Sequence, residues 1–121
     1  WVARGDWHMR IVRSNDGLRL KIDQDAQENF CRPAVDPLFR SAAEVLGSAV
    51  AALVLTGMGQ DGAQGARAVA ESGGIVIAQD EASSVVWGMP GAVATRGLAH
   101  HVTPLERIPG LVDQVLKGAL A

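Results

Sequence analysis

Several residue types and patterns are scarce in this 121-residue chain. Cys31 is the one cysteine, which excludes an internal disulfide framework and a cysteine-rich metal site. No apolar run is long enough to cross a bilayer, and no signal-peptide pattern opens the chain. Neither sign of charge dominates, with 11 basic and 13 acidic residues, so electrostatics does not support a nucleic-acid or anionic-membrane partner. We therefore expect a cytoplasmic protein that needs no metal or cofactor.

The composition that is present suits one globular domain. The hydrophobic share of 48% is enough for a single core at this length, and 14 glycines provide many places for tight turns. The first residue is Trp1 rather than methionine, and the residues that follow it already read as strand-like. We expect the chain to be part of a longer protein.

The N-terminal half predicts a β-hairpin followed by a helix. Apolar residues alternate over 9–23, and Asn15-Asp16-Gly17 can supply the positive φ angles of a tight turn. Asp36 has the chemistry of a helix N-cap, and Pro37 suits the first helical position. Gly47 is placed to end this helix.

The C-terminal half predicts alternating strands and helices. In order, these are a strand at 49–55, a helix at 63–72, a strand at 74–79, a short helix at 90–96 and an edge strand at 98–102. The strand at 49–55 is continuously apolar, which is typical of a parallel sheet covered on both faces, and the strand at 74–79 is expected to be a second buried strand. A last helix is expected from Thr103, which has capping-box spacing to Glu106. Its expected buried stripe is Leu105, Ile108, Leu111, Val112, Val115 and Leu116. The order predicts an α/β, parallel-sheet, three-layer doubly wound fold with a β-hairpin.

The stretch Gly57-Met58-Gly59-Gln60-Asp61-Gly62 has the G-x-G-x-x-G pattern of a dinucleotide-binding loop. It follows an apolar strand and opens a helix, and Asp80 and Glu81 lie where a ribose-binding acid is expected. Asp61 argues against this interpretation. A carboxylate at the mouth of the helix would occupy the site where a pyrophosphate has to bind.

Two other interpretations of Asp61 remain open from the residues alone. It can be the N-cap of its own helix, since Gln64 stands three residues further on, at capping-box spacing. It can also be the third member of a Ser-His-Asp triad, which orients the imidazole and stabilises the imidazolium. The two roles are compatible, because a capping carboxylate is held in a fixed orientation.

Four blocks of the sequence together resemble the catalytic domain of the CheB-type chemotaxis methylesterases. They are "VARGDWHM" at 2–9, "RPAVDPLF" at 32–39, "LTGMGQDGAQG" at 55–65 and "IVIAQDEASSVVWGMPGAV" at 75–93. They occur in the family's order across nearly the whole chain. One departure is Arg4, which stands where the family usually has proline.

The resemblance implies a function. Such enzymes hydrolyse γ-glutamyl methyl esters on methyl-accepting chemoreceptors with a Ser-His-Asp triad, release methanol, and in many cases also deamidate glutamines. It further implies that Asp61 is the triad acid and that the Met58 backbone N–H belongs to the oxyanion hole. Gly57 and Gly59 allow the loop to bend so that this N–H can face a substrate. Trp87, Met89, Gly57 and Gly59 are expected at the substrate rim, where simple packing is an equal alternative for Trp87.

The chain departs from the family by lacking the nucleophile and the base. No G-x-S-x-G elbow occurs, and the family's serine and histidine precede the region matched here. We therefore expect residues 1–121 to be the C-terminal part of the catalytic domain, without a receiver domain and inactive alone. The alternatives are a non-catalytic receptor- or partner-binding module and, less favoured, a dinucleotide-binding domain. A truncated sheet also predicts dimerisation or strand exchange at its uncovered edge.

The remaining histidines and serines have ordinary structural interpretations. His8 is expected to be a structural histidine at a strand end, and the adjacent His100 and His101 to be solvated rather than joint metal ligands. Ser83 and Ser84 lack the sharp elbow of a nucleophile and are expected to make loop hydrogen bonds.

Overall fold

The computed structural model describes residues 1–118 as five strands and four α-helices. In chain order they are β1 (His8–Ser14), β2 (Gly17–Asp23), α1 (Val35–Leu46), β3 (Ala51–Val54), α2 (Ala63–Glu71), β4 (Ile75–Gln79), α3 (Gly88–Thr95), β5 (His101–Thr103) and α4 (Ile108–Leu116). A 3-10 turn, Leu105–Arg107, precedes α4. The element order confirms the predicted α/β class.

The strands form two separate sheets. β1 and β2 pair antiparallel as the predicted hairpin, in a register that sets Ser14 opposite Gly17. Gly17 alone of the three turn residues has a positive φ, at 120°. β3, β4 and β5 pair in parallel, with β4 in the centre. The hairpin is attached to α1, where the Ile11 N–H donates to the Ser41 hydroxyl at 2.9 Å.

Burial of the parallel sheet differs between its strands. β4 is buried over most of its length, as predicted for a strand covered on both faces. The same prediction is wrong for β3, where Ala51 is exposed and only Ala52 and Val54 are fully buried. β3 lies at an edge of the sheet in residues 1–118, so one side of it meets no neighbouring strand. The core cluster consists of Ala43, Ala52, Val54, Ala66, Val69, Val76, Ala78 and Val93.

Helices α1 and α2 pack closely because Gly65 has no side chain. A Cβ at this position would lie 2.5 Å from the Phe39 Cβ and 3.2 Å from the Asp36 backbone. The first turns of the two helices are therefore neighbours, and this contact shapes the site described below. Gly47 ends α1 with φ 56°, as predicted.

The C-terminal elements begin at other residues than predicted. α3 starts at Gly88, two residues early, and β5 covers only His101–Thr103. The capping box at Thr103 and Glu106 is wrong, because Thr103 lies in β5 and a 3-10 turn separates it from α4. In α4 only Ile108 is fully buried, and Leu105 and Leu116 of the expected stripe are exposed. Within residues 1–118, no helix is both long and apolar enough to cross a membrane.

Candidate functional site

The Asp61 carboxylate caps a helix, but the helix is α1 and not its own. Its Oδ2 accepts the Val35 N–H at 2.7 Å, and its Oδ1 accepts the Asp36 N–H at 3.2 Å. The N-cap of α2 is Gly62, with φ 99° and no side-chain cap bond. The predicted capping of α2 by Asp61 is therefore wrong. The left-handed Gly62 turns the chain so that the preceding carboxylate points to the neighbouring helix.

Asp36 in turn caps the helix that follows Asp61. Its Oδ1 accepts the Gly62 N–H at 3.1 Å and the Gly65 N–H at 2.7 Å, so it caps α2. The prediction that Asp36 is the N-cap of α1 is wrong, because Ala34 holds that position without a side-chain bond. The first N–H groups of each helix, which favour negative charge, are thus capped by a carboxylate at the start of the other helix: Asp36 lies in α1, and Asp61 lies two residues before α2.

Asn29 joins the two carboxylates. Its amide nitrogen donates to Asp36 Oδ2 at 2.8 Å and to Asp61 Oδ1 at 2.9 Å. Asp36 is 1% exposed and Asp61 6% exposed, so amide donors replace water around nearly all of both groups. The spacing of the sequence carried no signal for Asn29, since a residue 32 positions before Asp61 has no local pattern with it.

The capping of α2 by Asp36 argues against a bound dinucleotide. The N–H groups at the start of α2 are the ones that a pyrophosphate would have to contact. Two of them, those of Gly62 and Gly65, already donate to Asp36. A pyrophosphate would have to displace a buried carboxylate and then sit beside its charge.

The loop before Asp61 is fixed at its glycines. The Gly57 N–H donates to the Val86 carbonyl at 3.0 Å, and the Gly57 carbonyl accepts the Met89 N–H at 2.9 Å. Gly59 has φ 91°, a conformation that favours glycine. Gly88 packs against both glycines, because a Cβ there would lie 2.8 Å from the Gly59 carbonyl oxygen and 2.9 Å from that of Gly57.

Met58 is presented to solvent between these two fixed glycines. The residue is 86% exposed, and its backbone N–H has no acceptor among the hydrogen bonds of residues 1–118. A free N–H on a rigid loop, three residues before a fixed carboxylate, is the kind of donor that an oxyanion hole requires.

Met89 of α3 packs on the same loop, whereas Trp87, the residue before α3, contacts β4 and α3. The Met89 sulfur fills the space that a side chain at Gly57 would need, 2.6 Å from the position of such a Cβ. The Trp87 indole N–H donates to the Gln79 carbonyl at 2.9 Å, and its ring lies against Gly91. Both residues are half-buried, so each has a packing role and is also partly accessible.

A buried amide connects the loops that follow β3 and β4. Gln79 Oε1 accepts the Thr56 N–H at 2.8 Å, and Gln79 Nε2 donates to the Ser83 carbonyl at 2.8 Å. The Ser83 hydroxyl donates to Asp80 Oδ1 at 2.6 Å and accepts the Leu105 N–H at 3.0 Å. Ser83 is therefore a loop-bonding serine, as predicted, and Asp80 is engaged by this loop.

The histidines have structural partners. His8 is fully buried, with Nε2 2.9 Å from the Ala26 carbonyl and Nδ1 3.2 Å from the Ala34 N–H, which confirms its structural interpretation. His100 Nδ1 accepts the Val76 N–H at 2.9 Å, a bond that the prediction of a solvated His100 did not include. In residues 1–118, no hydrogen bond joins a histidine to Asp61 and no cluster of side chains fits a metal ion.

Two ion pairs support the segment that carries Asn29. Glu28 Oε2 lies 2.7 Å from an Arg40 guanidinium nitrogen, and this hydrogen bond lowers the pKa of Glu28 and raises that of Arg40. Arg32 pairs with Asp6 at 2.8 Å and donates to the carbonyl of Gln24 at 3.1 Å. These bonds tie residues 24–32 to α1 and to the N-terminal segment.

Comparison with known proteins gives consistent matches. The family model described as CheB methylesterase matches residues 1–112. A protein-glutamate methylesterase/protein-glutamine glutaminase of a Nocardioides species is 60% identical over 86% of this chain and 28% of its own length. The protein-glutamate methylesterase/protein-glutamine glutaminase 1 of Rhodospirillum rubrum is 55% identical over 93% of this chain and 29% of its own length.

A solved structure gives the same result in three dimensions. The catalytic domain of the Thermotoga maritima CheB methylesterase superimposes with a TM-score of 0.92 at 39% identity, over 95% of this chain and 61% of that domain. The chain spans less than a third of the length of the curated relatives named above. Matches of this extent and identity show that the chain belongs to the CheB methylesterase family.

Proposed function

We propose that this chain contributes the acid and one oxyanion donor to a cytoplasmic protein-glutamate methylesterase. The enzyme would hydrolyse γ-glutamyl methyl esters on methyl-accepting chemoreceptors and release methanol, and deamidation of receptor glutamines would use the same groups. Asp61 would be the acid of a Ser-His-Asp triad. The serine and the histidine would come from a preceding part of the same protein, of which residues 1–121 form the C-terminal part of the catalytic domain.

The observation that carries the proposal is the way Asp61 is held. A carboxylate can accept about four hydrogen bonds. Three N–H donors already reach Asp61: two contact Oδ1 and one contacts Oδ2. The remaining capacity on Oδ2 is available to an imidazole N–H. A carboxylate that is fixed and hydrogen-bonded in this way orients a histidine and stabilises its protonated form without taking the proton.

Met58 supports the second half of the chemistry. In ester hydrolysis the serine oxygen attacks the ester carbonyl, and the histidine takes the serine proton and passes it to the departing methoxide. A water molecule then hydrolyses the acyl-enzyme. The carbonyl oxygen becomes negative in both steps, and the exposed Met58 N–H is a preorganised donor for it.

Methanol release from methylated chemoreceptor tests the proposal. The intact protein that contains this chain should release methanol, whereas residues 1–121 alone should not. A parent protein without this activity would contradict the proposed reaction and favour a binding module. Methanol release by the 121 residues alone would contradict the assignment of the serine and histidine to another part of the protein.

A further inference from the structure

A tight turn at residues 28–31 holds two residues in an unusual backbone conformation. Glu28 and Cys31 exchange both backbone hydrogen bonds, at 3.1 and 2.9 Å, and enclose Asn29 and Phe30. Asn29 has φ 54° and Phe30 has φ 63°. Two successive positive φ values are typical of a type I′ turn, whose second position normally takes glycine. Asparagine tolerates this region, but a phenylalanine in it is strained.

The strain is maintained by bonds to the candidate site. Asn29 is fixed through its contacts with Asp36 and Asp61 at 2.8 and 2.9 Å. Glu28 is fixed by its ion pair with Arg40. Strained residues persist only where their surroundings hold them, and they cluster at ligand contacts. Since the residue before Phe30 contacts Asp61 directly, the strained position adjoins the proposed triad acid.

The Phe30 ring makes almost no contact within the described chain, since the residue is 97% exposed. Two further loops at this site also present apolar side chains, with Met58 86% and Val85 92% exposed. The loop of Met58 is bonded to the turn through Asp61 and to the loop of Val85 through Gly57 and Val86. Three loops that hydrogen bonds connect to one another thus carry exposed apolar side chains, whereas solvated loops are usually polar.

We propose that Phe30 is a substrate-contacting residue whose ring packs against apolar side chains of the protein substrate beside the reacting ester. The inference rests on the function proposed above and adds a specificity residue to it. The ring contacts apolar side chains that flank the modified glutamate in the protein substrate, and not the ester group itself.

The substitution Phe30→Gly separates a substrate contact from a structural role. Glycine relieves the strain of the turn, so the urea midpoint of the intact protein should stay the same or rise. The kcat/KM for methylated chemoreceptor should fall roughly tenfold, as expected for loss of an aromatic contact. Hydrolysis of a small ester, N-acetylglutamate γ-methyl ester, should stay within about twofold, because it is too short to reach the ring.

Two controls complete the experiment. Phe30→Leu keeps an apolar side chain and should lose less activity on receptor than Phe30→Gly. Val102→Ala removes an apolar side chain that is 49% exposed on β5, outside the three loops, and should leave both rates unchanged.

The possible failures are distinguishable. Unchanged receptor kinetics in Phe30→Gly would overturn the substrate contact while leaving the proposed function intact. A lower urea midpoint would also overturn it, because the ring would then pack within the protein. A wild-type protein inactive on both esters would refute the proposed function itself, and the inference with it.

Discussion

The substitution Gly88→Ala should impair catalysis without touching either proposed catalytic group. Gly88 begins α3, and its Cα faces the backbone of the glycines on either side of Met58. An added Cβ would lie 2.8 Å from the Gly59 carbonyl oxygen and 2.9 Å from the Gly57 carbonyl oxygen and the Gly59 nitrogen. All three are backbone atoms, so no flexible side chain can move away to make room.

The expected loss of kcat follows from how far the added Cβ displaces the Met58 loop. Ordinary contact begins at 3.4 Å, so the loop has to move by about 0.6 Å. A misplacement of about 1 Å at a reacting centre can cost on the order of a hundredfold in rate, and loss of one oxyanion donor about 10²- to 10³-fold. We therefore expect kcat to fall by roughly 10- to 100-fold. The KM should change little, because the donor acts mainly in the transition state.

Steady-state methanol release by the intact protein is the assay, and Gly110→Ala is the matched control. Gly110 lies in α4, where an added Cβ meets no atom within 4 Å, so alanine should stabilise the helix by up to about 1 kcal/mol and leave kcat unchanged. If Gly88→Ala folds normally and retains the wild-type kcat, then the position of the Met58 loop does not matter for the reaction, and the oxyanion assignment is wrong.

Three further predictions concern the surroundings of the site. Glu28→Gln removes the carboxylate that pairs with Arg40. Because this pairing lowers the pKa of Glu28, wild type should be more stable than the variant above pH ~4.3, by less than about 1 kcal/mol. Urea unfolding should show this difference disappearing as the pH falls below that value. Trp87→Phe leaves the Gln79 carbonyl without its indole donor and should cost about 1 kcal/mol in stability; an unchanged receptor KM would assign Trp87 to packing rather than to the substrate rim. The 121 residues alone should self-associate through the open edge of β3, and a monomer by light scattering would contradict this.

The sequence predicted those parts of the fold that depend on local patterns. The alternation in β1 and β2, the apolar run of β4 and the helical period of α2 each need only a few neighbouring residues, and all four elements are present. The limits of α3 and β5 were less accurate, because long-range backbone contacts determine them. The start of α3, for example, is fixed by the bond from the Met89 N–H to the Gly57 carbonyl.

The errors at the site have a common physical cause. Asp36 and Asp61 were both recognised as capping carboxylates, but each was assigned to its own helix because local spacing is all that a single sequence displays. The close approach of α1 and α2 at Gly65 brings each carboxylate within reach of the other helix. Asn29 was missed for the same reason, since its partners lie 7 and 32 residues away.

The central claim is that Asp61 acts in catalysis and does not merely cap α1. Asp61→Asn and Asp36→Asn provide the direct comparison, because each carboxylate accepts two backbone N–H groups at the start of the other helix and one N–H of Asn29. Either change sets an amide NH₂ against a donor and should cost a similar ~1–3 kcal/mol in stability. The measurement is kcat for methanol release by both variants of the intact protein, at a temperature where both are folded. We predict a loss of about 10³- to 10⁴-fold for Asp61→Asn and of less than about tenfold for Asp36→Asn. Equal losses in the two variants would contradict the claim and reduce Asp61 to a helix cap.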